Sequence, residues 1–318
     1  MRKLLLALAL VFMSCGDSNV TGPSPPPVPP PPVEQPPPPP PVVRGPQFSW
    51  DNVRGVLLFA GTQGDEMQLT RLIHFFKSAW PNKQLAFNVC SEVSEWESTP
   101  WNDGPAAFSK ENLENLERFL RVTAENNVMV KLNIFCTMRD NHGWMQRNWE
   151  RYVGTVVKVA KKFDHINLSV ANEPYHPDSW LREGDRVRRV RDRARMSGWH
   201  GPMSADDTIG DRRREDGSLA DVRYAYRSLG FTPEFHPFRN PNPKPRDFDQ
   251  MVAENGLPLI ISEPTAYSTT REGGCCTDNQ QEITAYFRQA ERRGITMFLH
   301  STTGLLWPLE DFSWIPQP

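Results

Sequence analysis

The sequence predicts an α/β fold, a (β/α)8 or TIM barrel with a reduced or missing last helix. Eight short apolar runs recur along the chain, and segments with the three-to-four-residue apolar spacing of helices separate many of them. About 270 residues carry this alternation, which suits a barrel of this kind. An open, doubly wound sheet is the alternative, but no glycine-rich phosphate loop follows the first strand to support it.

The eight apolar runs have the length of buried strands in a parallel sheet. Turn or helical segments bound each of them. The predicted strands are Val56–Gly61, Gln84–Cys90, Val128–Cys136, Ile166–Ala171, Met203–Ala205, Thr232–His236, Leu259–Ser262 and Ile295–His300.

Helical spacing is clearest in four of the segments between the strands. Their apolar residues are Leu69, Leu72, Ile73 and Phe76; Leu113, Leu116, Phe119 and Leu120; Tyr152, Val156, Val159 and Phe163; and Ile283, Phe287 and Ala290. Gly256 and Gly294 stand where a helix would end before the next strand, so we expect them to be C-caps. Residues 305–318 are rich in tryptophan and proline, which is why the last helix is expected to be reduced or missing.

Residues 1–14 have the pattern of an export signal. A basic start precedes Leu4–Met13, but about ten apolar residues are too few to span a bilayer. Ser14 and Cys15 end this run, and a small residue followed by cysteine resembles the cleavage box of bacterial lipoproteins. The resemblance implies a lipid anchor on Cys15 of an exported protein, held at the outer membrane or cell surface. A plain secretory signal, with Cys15 incidental, is the alternative.

Residues 15–47 are predicted to hold the lipidated cysteine and a linker. From Pro23 to Pro46 there are 15 prolines in 24 residues, a composition that favours polyproline II and does not pack a core. At ~3.1 Å per residue this tract would reach on the order of 75 Å. We expect a semi-rigid tether rather than a ligand for a proline-binding module, and residues 48–318 then form the barrel domain.

The charge pattern argues against a nucleic-acid-binding protein. The formal net charge is −2, so the chain has no overall basic character. Residues 181–195 contain seven arginines, but acidic residues interrupt them. Leu181, Val187, Val190 and Ala194 mark a buried stripe in this segment, and we expect a solvated outer helix.

Two of the predicted strands end in a similar short pattern. The fourth strand is followed by Asn172, Glu173 and a proline, and the seventh by Glu263 and a proline. In a barrel of this kind, residues just past the C-terminal ends of the strands face the active site. Two glutamates at the same end of the barrel can place two carboxylates across one bond, which is the apparatus of glycoside hydrolysis.

These two strand ends resemble those of glycoside hydrolase clan A, in particular the cellulase-like barrels of family 5. The resemblance covers residues 48–308 as architecture, although a few short stretches carry it as sequence. It implies that Glu173 is the acid/base and Glu263 the nucleophile in hydrolysis with retention, with their carboxyl groups ~5–5.5 Å apart. It also implies that Asn172 hydrogen-bonds the sugar 2-hydroxyl in an interaction that strengthens in the transition state.

The resemblance also suggests which group orients the nucleophile. His236 ends the sixth strand, where members of the clan often place a histidine or tyrosine for this purpose. Phe238 stands two residues further on, where a tyrosine hydroxyl would be expected. This departure leaves His236 or Tyr267 for the orienting role.

Tryptophans near the strand ends are candidates for contact with sugar rings. Trp307 follows the eighth strand and matches the aromatic floor that the clan places beneath the sugar. Trp144 follows the third strand, and Trp96 and Trp101 follow the second. Flat aromatic faces stack on pyranose rings, so together these residues favour an extended glycan groove, although each alone could serve packing.

A second departure concerns an arginine that family members usually carry near the nucleophile, at the end of an early strand. The second strand, Gln84–Cys90, has none. Asn88, Asn133 or Arg139 could replace it, and Asn133 is therefore a candidate substrate-binding residue.

No metal or organic cofactor is expected. The seven histidines are scattered singly, without a His-x-His or His-x-x-x-His spacing. Cys90 and Cys136 end neighbouring strands, where they could form a disulfide in an oxidising compartment or be two small core residues. The pairing of the adjacent Cys275 and Cys276 stays open.

The sequence therefore predicts a retaining glycoside hydrolase that cleaves a β-linked poly- or oligosaccharide. Its expected partners are that glycan and, through the anchor on Cys15, a membrane; we expect a monomer that binds no nucleic acid. Two alternatives are a surface glycan-binding barrel whose catalysis has decayed and a transglycosylase that uses the same glutamates. Loop composition does not identify the glycan, its linkage or the choice between endo and exo action.

Overall fold

A computed structural model shows how the predicted barrel domain folds. The structure describes residues 47–58, 66–91, 110–135, 143–172, 174, 179–182, 185–206, 229–235, 248–262, 266–267, 277–278 and 280–299. They all belong to one compact unit within residues 41–318. The predicted export signal, Cys15 and the proline-rich linker lie outside these ranges. Of the helices within them, none is long and apolar enough to cross a lipid bilayer.

Eight parallel strands close into a barrel, which confirms the predicted fold class. Each barrel strand pairs with the next one along the chain, and the last pairs with the first. The barrel strands are β1 (Val53–Leu57), β2 (Gln84–Cys90), β3 (Met129–Phe135), β4 (Ile166–Ala171), β5 (Met203–Asp206), β6 (Thr232–Phe235), β7 (Ile260–Ile261) and β10 (Thr296–Leu299). Two short strands after β7, β8 (Ala266–Tyr267) and β9 (Thr277–Asp278), pair with each other. The expected reduction of the last helix concerns residues outside the described ranges.

Helices lie outside the barrel and bury their apolar stripes against it. They are α1 (Glu66–Ala79), α2 (Lys110–Glu125), α3 (Gly143–Ala160), a 3-10 turn (Trp180–Arg182), α4 (Arg186–Met196), α5 (Phe248–Asn255) and α6 (Gln280–Glu291). Helix α4 buries Val187, Val190 and Ala194, while arginines such as Arg188 and Arg189 are exposed. The arginine-rich segment is therefore the outer helix that its pattern predicted.

Strand bounds agree with the sequence prediction within one residue, except at the first strand. That strand was predicted at Val56–Gly61, whereas β1 begins at Val53. Val53 lies opposite Gln84 and Leu57 opposite Asn88, so β1 takes its bounds from its hydrogen-bonding neighbour. Pairing of this kind is decided by the sheet as a whole rather than by the local apolar run. Residues 59–61 of the predicted strand lie outside the described ranges.

Two glycines end helices as predicted. Gly256 follows α5 with φ 67°, and Gly294 follows α6 with φ 70°. This left-handed backbone is open to glycine because it has no Cβ. The N–H of Gly256 donates to the carbonyl of Val252 at 2.6 Å, and that of Gly294 to the carbonyl of Glu291 at 3.0 Å.

The two faces of the barrel wall differ in composition. Outward residues, such as Phe87, Leu132 and Leu168, join the main apolar core with the helices. Inside the barrel, a separate apolar cluster, here termed the floor, consists of Val53, Ala86, Met129, Ile260 and Phe298. Further towards the C-terminal ends of the strands, the interior becomes polar. This polar layer consists of Asn88, Lys131, Asn133, Ser169, Glu234 and Ser262, all fully buried.

A buried cation on the outer face of the wall ties β1 to α6. Arg54, only 1% exposed, contacts Glu291 with two guanidinium nitrogens: Nε at Oε1, and Nη2 at Oε2 with a distance of 2.9 Å. The rings of Trp80 and Phe287 lie 5.4 Å and 5.9 Å from the same guanidinium, and Lys83 Nζ lies 3.4 Å from Glu291. Burial acts to raise the pKa of Glu291, but the hydrogen bonds and charges of Arg54 and Lys83 together hold that pKa below its ordinary value.

Candidate active site

Strand β4 brings Asn172 to the C-terminal rim of the barrel. All six residues of β4 are buried, and Asn172 follows with 6% exposure. Its N–H donates to the carbonyl of Phe135, the last residue of β3, at 2.9 Å. The pairing of β3 with β4 thus continues up to the residue before Glu173. Glu173 itself lies outside the described ranges.

Strand β7 reaches the same rim. Ser262 follows it and is fully buried, and its N–H donates to the carbonyl of Phe235 at the end of β6 at 3.2 Å. Glu263 is the next residue along the chain and also lies outside the described ranges. β4 and β7 are the fourth and seventh strands of the barrel, while the roles of the two glutamates stay predictions.

The other predicted site residues fall in different places. Trp144 lies in the first turn of α3, after the loop that follows β3, and is partly buried against the main core. Tyr267 belongs to β8 in the segment after β7. His236 and Trp307 lie outside the described ranges. The substrate-binding roles of these four residues stay predictions.

A buried ion pair crosses the barrel interior below the two strand ends. Lys131 on β3 and Glu234 on β6 have no exposed side-chain surface, and Nζ lies 2.5 Å from Oε1. The contact is an ion pair without hydrogen-bond alignment at that oxygen. The other oxygen, Oε2, accepts a hydrogen bond of 3.3 Å from the hydroxyl of Ser169 on β4. Since an isolated charge here would cost several kcal/mol, each ion depends on the other.

Two asparagine amides complete the surroundings of Lys131. Its ammonium donates to Oδ1 of Asn88 at 3.0 Å and to Oδ1 of Asn133 at 2.7 Å. Nδ2 of Asn133 donates to Oδ1 of Asn88 at 2.8 Å and to the carbonyl of Val89 at 3.1 Å. Nδ2 of Asn88 reaches the carbonyl of Ser262 at 3.5 Å, the longest of these contacts. Both ends of the Asn133 amide therefore bind protein groups, and its contact with substrate stays a prediction.

Lys131 and Glu234 were not among the site residues predicted from the sequence. The sequence left Asn88, Asn133 and Arg139 as replacements for the missing arginine. The structure shows a cation, Lys131, bonded to the first two, and Arg139 lies outside the described ranges. A lysine in the middle of a largely apolar strand was the available signal, because lysine is almost never fully buried unless it is paired.

The end of β2 is fixed covalently and by hydrogen bonds. Cys90 is disulfide-bonded, so it is not the free core residue that the sequence left as an alternative. Its partner lies outside the described ranges, and the Cys90–Cys136 pairing stays a prediction. The hydroxyl of Ser91 lies 2.7 Å from the carbonyl of Ile134 and 2.7 Å from the hydroxyl of Tyr152 on α3. β2, β3 and α3 are thus joined directly below the rim.

Several glycoside hydrolases of known structure share this architecture. The cellulase Cel5C_n superposes with a TM-score of 0.58 at 15% identity, over 84% of this chain and 83% of that chain. The β-mannanase of Streptomyces thermolilacinus, solved with mannohexaose, gives 0.54 at 16% identity over 83% of both chains. The catalytic domain of the Thermobifida fusca endoglucanase Cel5A, solved with cellotetraose, gives 0.56 at 13% identity, over 81% of this chain and 83% of that chain.

These similarities concern structure rather than sequence. No protein-family model matches the chain, and no curated protein matches it. At such low identity the likeness shows a shared fold alone, that of the family 5 cellulases and mannanases within clan A.

Proposed function

We propose that the protein is a retaining glycoside hydrolase that cleaves a β-linked poly- or oligosaccharide. The observation that carries the proposal is the position of two strand ends: Glu173 comes two residues after the fourth strand of a closed parallel barrel, and Glu263 comes two residues after the seventh. Active sites of such barrels lie at the C-terminal ends of the strands. The structural likeness to a mannanase and an endoglucanase solved with oligosaccharides supports the same chemistry.

In the proposed reaction, the two glutamates act in two steps. Glu263 attacks the anomeric carbon and forms a glycosyl ester, while Glu173 donates its proton to the departing glycosidic oxygen. Glu173 then takes a proton from water, the water oxygen bonds to the anomeric carbon, and the ester bond to Glu263 breaks. Asn172 would hydrogen-bond the sugar 2-hydroxyl. Neither step requires a metal or an organic cofactor.

Other residues of the rim would bind the glycan. Trp144 and Trp307 would offer aromatic faces to sugar rings, and His236 or Tyr267 would orient Glu263. The backbone hydrogen bond from Asn172 to β3 supports the proposed position of Glu173, because it stiffens the backbone directly before that residue. Groups held in the productive geometry lower the barrier by pre-organisation.

We also propose that the enzyme acts outside the cytoplasm. A lipid on Cys15 would anchor it to the cell envelope, and residues 15–47 would hold the barrel away from the membrane as a tether. The apolar segment before Cys15 and the 15 prolines after it support this arrangement. A glycan in the medium or the cell wall would then be within reach of the rim.

The experiment that tests the proposed function compares two glutamine variants with the wild-type protein. Glu263→Gln should lower the turnover of glucan and mannan oligosaccharides and of aryl β-glycosides by about 1,000-fold or more. Glu173→Gln should lose activity on the glycans but keep the first step on an aryl glycoside with a good leaving group, because such a leaving group needs no proton. Glu150→Gln, which alters an exposed carboxylate on α3, is the control and should keep full activity.

The products decide between the proposed mechanism and its alternatives. Proton NMR should show that the newly formed hemiacetal has the β configuration at first, as retention requires. Near wild-type activity in Glu263→Gln would remove this residue from the nucleophile role. Oligosaccharide binding without hydrolysis would instead favour a glycan-binding protein, and longer glycans among the products would indicate a transglycosylase.

A further inference from the structure

The polar layer of the barrel interior links four strands and reaches a fifth. β2 supplies Asn88, β3 supplies Lys131 and Asn133, β4 supplies Ser169, β6 supplies Glu234, and the carbonyl of Ser262 after β7 is the fifth contact. On β2, β3 and β7 the floor below this layer is apolar. Ala86 and Met129 lie opposite each other in the floor, and two residues further on Asn88 lies opposite Lys131.

Stability alone does not explain a charged pair in this position. The desolvation of two buried ions can exceed their attraction, and apolar side chains of similar volume often replace such a pair without loss. The floor shows that this chain fills part of the same interior with apolar side chains. What the ammonium of Lys131 does to its neighbours is therefore the better explanation for its presence.

We propose that Lys131 is a positioning residue for the active site, an inference that rests on the proposed function. An ammonium group has donors and no acceptor, so an amide that faces it must present its oxygen. Asn88 and Asn133 both turn Oδ1 towards Lys131. Their Nδ2 groups are consequently directed away from it, that of Asn133 to Val89 and that of Asn88 to Ser262. One buried cation thus sets the orientation of two amides.

Both proposed catalytic glutamates follow residues of this layer along the chain. The carbonyl of Ser262 accepts from Asn88 and is joined to Glu263 by a peptide bond. Ser169 on β4 donates to Glu234, and Glu173 comes four residues later along the chain. Retention requires the two carboxyl groups to stay ~5–5.5 Å apart, a separation that loosely held strand ends would not keep.

The test removes both charges together, so that neither is left unpaired. Lys131→Met/Glu234→Met replaces them with apolar side chains of similar length. We expect a folded protein whose unfolding midpoint is close to that of the wild type. Its kcat on the glycan should fall about 100-fold with KM within about threefold, because the site is misplaced rather than unable to bind. A folded double variant with kcat within about twofold of wild type would overturn the proposal.

Two further variants keep this test decisive. Ser204→Ala is the matched control: it removes a buried hydrogen bond of 2.7 Å to Asn167 inside the same barrel, and it should lower stability but not kcat. Asn88→Leu keeps the ion pair and removes the contact with Ser262, so its kcat should fall by a similar factor. If the double variant does not fold, an unchanged kcat in a folded Asn88→Leu protein overturns the proposal in its place.

Crystal structures of the wild type and the double variant separate this inference from the proposed function. A wild-type protein that hydrolyses no glycan would refute the hydrolase, but the orientation of the amides can still be compared. We expect the side chain of Asn88 or Asn133 to rotate, and the carbonyl of Ser262 to shift, when Lys131 is absent. If all three keep their positions, Lys131 has no positioning role, whatever the activity of the protein.

Discussion

Acid should destabilise the protein through one buried histidine, His165. This residue lies directly before β4 and is fully buried. The hydroxyl of Thr123 lies 3.0 Å from the carbonyls of Phe119 and Leu120 and 3.0 Å from Nε2 of His165. A hydroxyl that donates to a carbonyl must accept from Nε2, so the neutral ring carries its proton there. Nδ1 is buried without a hydrogen-bond partner in the part of the chain that the structure describes.

The size of the effect follows from the pKa of His165. Burial lowers this pKa from 6.5 to about 4, and the charge of Asp164 opposes the change. Between these two pKa values the folded protein keeps the imidazole neutral, whereas the unfolded chain protonates it. The contribution of the neutral imidazole to stability is therefore fully present above pH 6.5 and is lost as the pH falls from 6.5 towards 4. A difference of about 2.5 pKa units corresponds to about 3 kcal/mol, of which about 2 kcal/mol would be lost by pH 5.

Urea unfolding at pH 7.5 and pH 5 measures the contribution of His165 to the free energy of unfolding. His165→Gln removes the titrating group, so its free energy of unfolding should differ between the two pH values by about 2 kcal/mol less than that of the wild type. His200→Gln, which alters an exposed histidine, should keep the wild-type difference. If the His165 variant showed the same pH dependence as the wild type, other groups would be responsible for acid sensitivity and the reasoning would fail.

Two more predictions concern the outer face of the barrel and the N-terminal segment. Arg54→Met leaves Glu291 without its two-point contact and should lower the free energy of unfolding in urea by about 2 to 3 kcal/mol. Arg293→Met breaks the pair with the exposed Asp249 and should lower it by under about 1 kcal/mol. Equal losses in the two variants would contradict the importance of burial. Cys15→Ser should move the protein from the membrane fraction to the soluble fraction of the expressing cells; unchanged membrane association would refute the lipid anchor.

The architecture could be predicted because it depends on local patterns. Apolar runs and helical spacing are properties of neighbouring residues, and the four apolar residues expected in the first helix are the ones that α1 buries: Leu69, Leu72, Ile73 and Phe76. The bounds of β4 were predicted in full. β1 was misplaced by three residues because its bounds depend on pairing with β2, which its own sequence does not encode.

The interior of the site could not be predicted in the same way. Lys131 and Glu234 lie on strands three positions apart around the barrel, so nothing near either residue in the sequence indicates its partner. Asn88 and Asn133 were proposed for a different reason, as substitutes for an arginine. The pairing of β2 with β3 brings both amides to the ammonium of Lys131, and the barrel brings in Glu234 from β6, so the whole cluster depends on three strands at once.

The barrel wall carries two buried cations whose surroundings imply different roles. Arg54 faces outward, between two aromatic rings, and its carboxylate partner retains 23% exposure. Its contacts join β1 to α6, so its loss should appear in stability. Lys131 faces inward among amides that lead to the rim, and its partner has no exposed surface. Because an apolar pair can replace that charge pair without loss of stability, its removal should appear in catalysis. If Arg54→Met and the double variant Lys131→Met/Glu234→Met both changed only the stability of the protein, the polar layer would have a structural role alone.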